Sequence, residues 1–199
     1  MGRRIGLLGG TFDPPHLGHL WLAETARTQL DLDVVLFLPV GQPPHKQDRP
    51  VTAVHHRAAM TELAIQNYPH FLLDETDVTR PCPHTTVSLL PLMQAKHPDD
   101  TFWLLVGADS LQDLPTWAEP ARLITYCRID ALPRTGAVLD WAVLETAVSG
   151  IRTAVDLLPG PQLTLSSTEI RQWAGWGHSV EVLVGTAVHD YLVLHRLYQ

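Results

Sequence analysis

Ile5-Gly6-Leu7-Leu8-Gly9-Gly10-Thr11-Phe12-Asp13-Pro14-Pro15-His16-Leu17-Gly18-His19-Leu20 is the stretch on which the reading of this chain turns. Ile5 to Leu8 is an apolar run of strand length, Gly9-Gly10 is a turn, and a helix with Leu22, Ala26 and Leu30 on one face opens around Leu17. A helix start presents unpaired N–H groups and the positive end of the macrodipole, so an anion is favoured there before any side chain acts. His16 and His19 are three residues apart and share one face of the first turn, and Gly18 between them leaves room for a phosphate near the backbone. Strand, glycine turn and paired imidazoles together predict a phosphate site at the end of the first strand.

Outward from this stretch, apolar runs recur at residues 34–39, 71–73 and 102–106, followed by a short strand at 129–132 and a last strand at 154–158. Between them lie stretches of helical spacing at 17–30, 52–67 (Met60, Leu63, Ala64), 85–96 and 139–148, and a proline-broken helix at 111–123. Pro91 is expected to kink the 85–96 helix or cut it short. The alternation predicts an α/β fold: a doubly wound, Rossmann-like parallel sheet with helices on both faces. Residues 1–199 read as a single domain, with about 165–199 forming a small C-terminal helical subregion in which Val188, Leu192 and His195 share a face. In such a sheet the ligand lies at the carboxyl ends of the strands, which gathers the loops after the first, second, fourth and last strands into one cleft.

The balance of 14 Lys and Arg against 21 Asp and Glu, a net charge of -7, argues against a nucleic-acid partner. No apolar run approaches bilayer length, and Arg3-Arg4 precede only four apolar residues, so neither a membrane span nor a signal peptide is expected. Cys82 and Cys127 are too few and too far apart for a disulfide framework or a zinc site, which fits a reducing cytoplasm. The eleven histidines are scattered, and no protein metal site is expected from them.

Three further segments carry chemistry. Gly41-Gln42-Pro43-Pro44-His45-Lys46 is a stiff loop that delivers a cation, Lys46, suited to a polyphosphate, although a solvated surface lysine reads the same way. Leu165-Ser166-Ser167-Thr168-Glu169-Ile170-Arg171 begins as a strand end and passes into a helix. Its hydroxyls can cap the helix or cradle phosphate, and Arg171 offers a fork-shaped donor set for phosphate oxygens. Gly107-Ala108-Asp109-Ser110 follows a buried strand, where Asp109 can accept from ribose hydroxyls or cap a helix. Trp117 can stack on a base or belong to the core. Thr85 in Pro83-His84-Thr85-Thr86 is the expected cap of the third helix, whose N–H groups suit a carboxylate.

The opening run resembles the HxGH signature of the nucleotidyltransferase superfamily, and its longer form GGTFDPxHxGHL resembles the small adenylyl- and cytidylyltransferases. The loop ending Pro43-Pro44-His45-Lys46 is similar to a PPHK loop of that group, and residues 165–171 are similar to its ISSTxIR motif. Gly107 to Ser110 with Trp117 resembles the bacterial nicotinate-nucleotide adenylyltransferases in particular. The likeness runs from residue 5 to 198 and departs at Pro83 and His84, where the family has Ser-Tyr, and at Thr135, where it has proline. It implies adenylyl transfer from ATP to nicotinate mononucleotide in NAD biosynthesis, with His16, His19, Lys46 and Arg171 catalytic. It implies an ATP site made of Gly9, Gly10, Thr11, Phe12, His16, Gly18, His19, Gly107, Asp109, Ser166, Ser167, Thr168 and Arg171. The acceptor would meet His45, Thr85, Thr86, Asp109, Trp117 and Arg134, with Trp117 stacking on the nicotinate ring. Magnesium is expected to arrive with ATP, and a homo-oligomer is allowed. Nicotinamide mononucleotide, phosphopantetheine or a sugar phosphate as acceptor, a relative of aminoacyl-tRNA synthetases, and a non-catalytic nucleotide binder are the alternatives.

Overall fold

A computed structural model describes residues 2–43, 51–132 and 139–199; His45, Lys46 and Arg134 lie outside these described residues. Among the described residues the strands are β1 (Arg4–Gly10), β2 (Val34–Pro39), β3 (Phe71–Leu73), β4 (Thr101–Gly107), β5 (Arg128–Leu132) and β6 (Val155–Leu157). They form one sheet in the order β3-β2-β1-β4-β5-β6, and every neighbouring pair is parallel. The order reverses between β1 and β4, so a crevice opens at the carboxyl ends of those two strands.

Both faces of the sheet are covered, as the near-continuous apolar strands require. Ile5, Leu7, Leu36, Leu104 and Ile129 pack with Val87, Leu90 and Met93 of α4 (Thr86–Lys96) and with Leu111, Leu123 and Leu144. Those last three belong to α5 (Ala108–Gln112), α6 (Pro120–Tyr126) and α7 (Trp141–Ala147); the one-turn helices α3 (Thr76–Thr79) and α8 (Ile151–Ala154) precede α4 and follow α7. The alternate strand positions Val35, Phe37, Trp103 and Leu105 meet Leu22, Ala23 and Ala26 of α1 (Leu17–Gln29) and Ile65 of α2 (Val54–Ile65) on the other face. This is the doubly wound α/β architecture that the alternating runs predict.

A third cluster joins Met60 of α2 to Ile170, Val184, Val188 and Leu192. These come from α9 (Ser167–Gly175), α10 (Glu181–Val184) and α11 (Thr186–Leu194). The Nδ1 of His56 and the Tyr191 hydroxyl, 2.9 Å apart, add a polar tie between α2 and α11. Helix α2 is therefore apolar on two sides, one toward the sheet and one toward the C-terminal helices.

Two local expectations are corrected. Pro91 does not cut its helix short: α4 continues to Lys96, held by Leu89, Leu90 and Met93 buried against the sheet. Leu165 is not a strand end; residues 158–166 form no strand. That segment crosses α1, where the Trp21 indole donates to the Pro161 carbonyl at 2.7 Å and the Gln29 amide donates to Pro159.

Asp130 is an anomaly in this packing. It is fully buried in β5, in register with Asp156 of β6, and among the described residues neither carboxylate oxygen has a hydrogen-bond partner. Burial, and then the charge of Asp156, push its carboxyl up to about 7. The folded protein therefore binds a proton that the unfolded chain, titrating near 4, has released, and stability falls as pH rises between those two values. From pH 5 to pH 8 the loss amounts to about 3 kcal/mol, because holding that proton is worth ~1.4 kcal/mol for each of the roughly two pH units over which only the folded state keeps it. Asp130→Asn is expected to match the wild type at pH 5 and to exceed it at pH 8. Urea unfolding at the two pH values measures the difference.

Candidate active site

The end of β1 leads into α1 through a loop whose packing aims the two histidines. Phe12 takes a left-handed backbone, φ 51°, and its ring is buried edge-on against the His19 ring at 5.0 Å and beside Phe37 at 5.7 Å. His16 is the N-cap of α1, and its backbone N–H donates to Nδ1 of His19 at 3.2 Å. With Nδ1 accepting, neutral His19 carries its hydrogen on Nε2, which makes that atom a donor. The two rings stack with centroids 3.8 Å apart. A Cβ on Gly18 would lie 3.0 Å from Nδ1 and Cε1 of His16. The space above Gly18, read in the sequence as room for a phosphate, thus first accommodates the buried imidazole of His16.

The segment 166–171 meets this loop across the whole length of the chain. Ser166 caps α9: its Oγ accepts from the Glu169 N–H at 3.3 Å, while Glu169 accepts from the Ser166 N–H at 3.1 Å. The hydroxyl of Ser167 donates to the Pro14 carbonyl at 2.9 Å. Arg171 donates through Nη1 to the Asp13 carbonyl at 2.6 Å and through Nη2 to Oγ1 of Thr168 at 3.3 Å. Ser167 and Arg171 are thereby fastened to the two residues just ahead of Pro15-His16. Of the two roles the sequence left open for these hydroxyls, the structure shows capping, at Ser166, while the Ser167 hydroxyl ties down the loop.

Beside the loop is a cavity of about 500 Å³ whose walls include Gly9, Gly10, His84, Thr85, Thr86 and Trp117. It lies at the carboxyl ends of β1 and β4, at the reversal of strand order. A Cβ on Gly9 or on Gly107 would meet nothing within 4 Å, so both strand ends face open space. Thr85 is the N-cap of α4, paired reciprocally with Ser88: their hydroxyls lie 2.8 Å apart and the Thr85 N–H donates to Ser88 at 3.3 Å. Thr85 and Thr86, at the start of α4, are thus both part of the cavity wall. Trp117 is half-buried, packed on the core and lining the cavity at once. Asp109 is not the cap of its helix: Gly107 is, and exposed Asp109 stands in the first turn of α5.

Comparison with known proteins fits this geometry. The cytidylyltransferase-like family model matches residues 7–173. A probable nicotinate-nucleotide adenylyltransferase of Thermomicrobium roseum is 41% identical over 98% of this chain and 92% of its own. The chain belongs to the nicotinate-nucleotide adenylyltransferase family. A Bacillus pumilus protein of the same name is 36% identical over 99% of each chain. In fold, the family member resembles the Plasmodium falciparum nicotinic acid mononucleotide adenylyltransferase solved with NaAD. The TM-score is 0.79, with 20% identity over 98% of this chain and 97% of that one.

What the sequence did not reveal in this adenylyltransferase family member is a set of buried charges behind the site. Arg57, 1% exposed, donates to the carbonyls of Thr52 at 2.8 Å, Thr11 at 2.8 Å and Gly41 at 2.9 Å. Burial holds its pKa below the usual arginine range, against the pull of nearby Asp13. Asp77, also buried, accepts from the Gly41 N–H at 3.0 Å and pairs with Arg80. Arg80 in turn donates to Pro83 O, Thr85 O and Ser88 Oγ around the cap of α4. Gly41 must lack a side chain, because a Cβ would sit 2.7 Å from the Asp77 carbonyl oxygen and closer still to His84. The available signal was the helical spacing of Arg57 with Met60 and Thr61, which puts the arginine on the inward stripe of α2.

Among the described residues no group of three or more His, Cys, Asp or Glu could hold a metal ion. Both cysteines are free thiols, and burial pushes Cys127 up to about 12, so it stays protonated. Arg57→Lys would offer one ammonium in place of a fork that spans three carbonyls. It is expected to cost about 3 kcal/mol, the scale for stranding buried acceptors, and the urea midpoint measures it.

Proposed function

We propose that this protein transfers the adenylyl group of ATP to nicotinate mononucleotide, releasing pyrophosphate and forming nicotinate adenine dinucleotide for NAD biosynthesis. One observation carries the reading: β1 ends in Gly9-Gly10, which wall the acceptor-sized cavity, and continues directly into the loop that presents the stacked histidines. Donor and acceptor can therefore meet within a few residues of one strand end.

In this reaction an oxygen of the acceptor's phosphate attacks the α-phosphorus of ATP in line. The new P–O bond forms as the bond to the bridging oxygen breaks, and the electron pair leaves with pyrophosphate. Such transfers need positioning and charge stabilisation more than covalent help. His19, with its hydrogen on Nε2, donates to the α-phosphate oxygens as charge builds there, and His16 and the N-terminus of α1 share that load. Arg171 faces the β- and γ-phosphates, and Lys46 is assigned to the same departing group. Ser166 to Thr168, with Gly107 and Asp109, take the adenosine, and Thr11 and Gly18 bring backbone to the phosphates. The Phe12 ring is buried, so its part is to buttress His19.

The acceptor's ring lies against Trp117, and its carboxylate meets the N–H groups at the start of α4, near Thr85 and Thr86. A neutral amide would gain less from that positive helix end, which favours the acid nucleotide. His45 and Arg134 are assigned to the acceptor's phosphate side. Magnesium would enter bound to the triphosphate; Asp13, the carboxylate in the loop before His16, already accepts from Tyr198 and from the Thr52 N–H. Among the described residues no helix is long and apolar enough to cross a membrane. With two free thiols, a cytoplasmic enzyme is the consistent assignment.

Pyrophosphate release measured with ATP and a panel of acceptors tests the proposal. Nicotinate mononucleotide is expected to turn over fastest, and preference for nicotinamide mononucleotide would overturn the carboxylate argument. His19→Ala is expected to lower turnover about a thousandfold while ATP affinity changes little, the pattern of an interaction made mainly in the transition state.

A further inference from the structure

Tyr198 lies far in sequence from the site, yet its hydroxyl donates to Oδ1 of Asp13 at 2.6 Å. Burial, and then this bond, push its pKa above the ordinary phenol range, so it remains a donor at all relevant pH. The other oxygen, Oδ2, accepts from the Thr52 backbone N–H at 3.3 Å. Asp13 is 3% exposed, and both of its carboxylate oxygens are thus engaged by neutral donors. Arg171 stands beside it. Its Nη1 takes the Asp13 main-chain carbonyl at 2.6 Å but lies 3.9 Å from Oδ2, beyond hydrogen-bond reach.

We propose that Tyr198 is a positioning residue that occupies Asp13 and so keeps this carboxylate from capturing the Arg171 guanidinium, leaving that cation available to the triphosphate. The inference rests on the reading of Arg171 as an ATP-phosphate ligand. A buried carboxylate oxygen without a donor is costly, and the nearest unsaturated donor fork is that of Arg171. Remove the hydroxyl, and a small rotation of Asp13 converts one main-chain bond into a two-point ion pair. Arg171 would then have to break that pair before it could meet ATP. A hydroxyl donor satisfies Asp13 without adding a charge that would compete for phosphate, which a lysine or arginine at position 198 would do.

Tyr198→Phe keeps the ring and its packing and removes only the hydroxyl, with its bonds to Asp13 and to the Thr52 side chain. It is expected to raise the KM for ATP about tenfold, with kcat changed less than threefold, and to weaken a non-hydrolysable ATP analogue by the same factor in calorimetry. A purely structural role would instead lower the active fraction or the melting temperature without this split. The second arm is Asp13→Asn, which retains an acceptor for Tyr198 but cannot form the ion pair. In that background Tyr198→Phe is expected to shift ATP affinity by less than about twofold. Unaltered ATP affinity in Tyr198→Phe, or the same tenfold loss in the Asp13→Asn background, would overturn the proposal. Absence of adenylyl transfer by the wild type would sink the reading of the reaction instead, while calorimetry would still report whether Tyr198 governs nucleotide affinity.

Discussion

The carboxylate of Asp13 is the constraint on which the site is built. Asp13 follows a left-handed Phe12 and precedes two prolines, so the chain between β1 and α1 has little freedom to choose another path. Its side chain gathers the Thr52 backbone ahead of α2 and the hydroxyl of Tyr198, and its carbonyl receives Arg171. Three segments that are distant in sequence thereby converge three residues before His16. The histidine pair inherits its position from this convergence, because the cap of α1 cannot shift without breaking at least one of those bonds.

A similar arrangement holds behind the loop, where Arg57 uses its fork on three main-chain carbonyls. A buried guanidinium is unfavourable unless it finds acceptors, and here each of its three nitrogens donates to a carbonyl, which introduces no further charge. Asp13 supplies the compensating field, and Asp77 adds to it from farther off. Asp77 is itself held by Arg80 and by the Gly41 N–H, and Arg80 grips the residues that cap α4. The nucleotide side and the acceptor side of the cleft are thus braced by one continuous set of charges and carbonyls. A change at Gly41 touches both, since Arg57 holds its carbonyl and Asp77 its N–H.

The sheet was legible in the sequence because β1 to β4 hold apolar runs between polar stretches, the pattern that a parallel sheet covered on both faces demands; β5 and β6, each with an aspartate, gave the weaker signal. The histidine pair and the Thr85 cap were legible because their chemistry is local: an N-cap and its partner three residues on need no distant contact to be read. Pro91 does not end its helix because the rule for proline concerns the backbone alone, and here three buried side chains of α4 outweigh one lost hydrogen bond. Leu165 was misread because apolar and β-branched residues also suit an extended segment lying across a helix. Arg57, Asp77 and Tyr198 went unread for a common reason: each acts on groups far away in sequence, most of them main-chain atoms, and no spacing rule describes those.

That division bears on how the donor and acceptor halves of the site differ. The half proposed for the nucleotide is defined by motifs at the starts of α1 and α9, whose side chains are spaced to one helical turn. The acceptor half depends on Trp117, which must pack on the core and line the cavity together, and on α4, whose cap is locked by Arg80 from behind. Pro83 and His84, read in the sequence as departures from the pattern it resembles, lie within this second half, and His84 closes over Gly41 with its Nδ1 3.6 Å from Asp77. The substitution sits on the brace between the two halves, and it leaves the N–H donors at the start of α4 in place. Recognition of a carboxylate by a helix end tolerates such changes, because it is carried by main-chain groups that every residue except proline supplies.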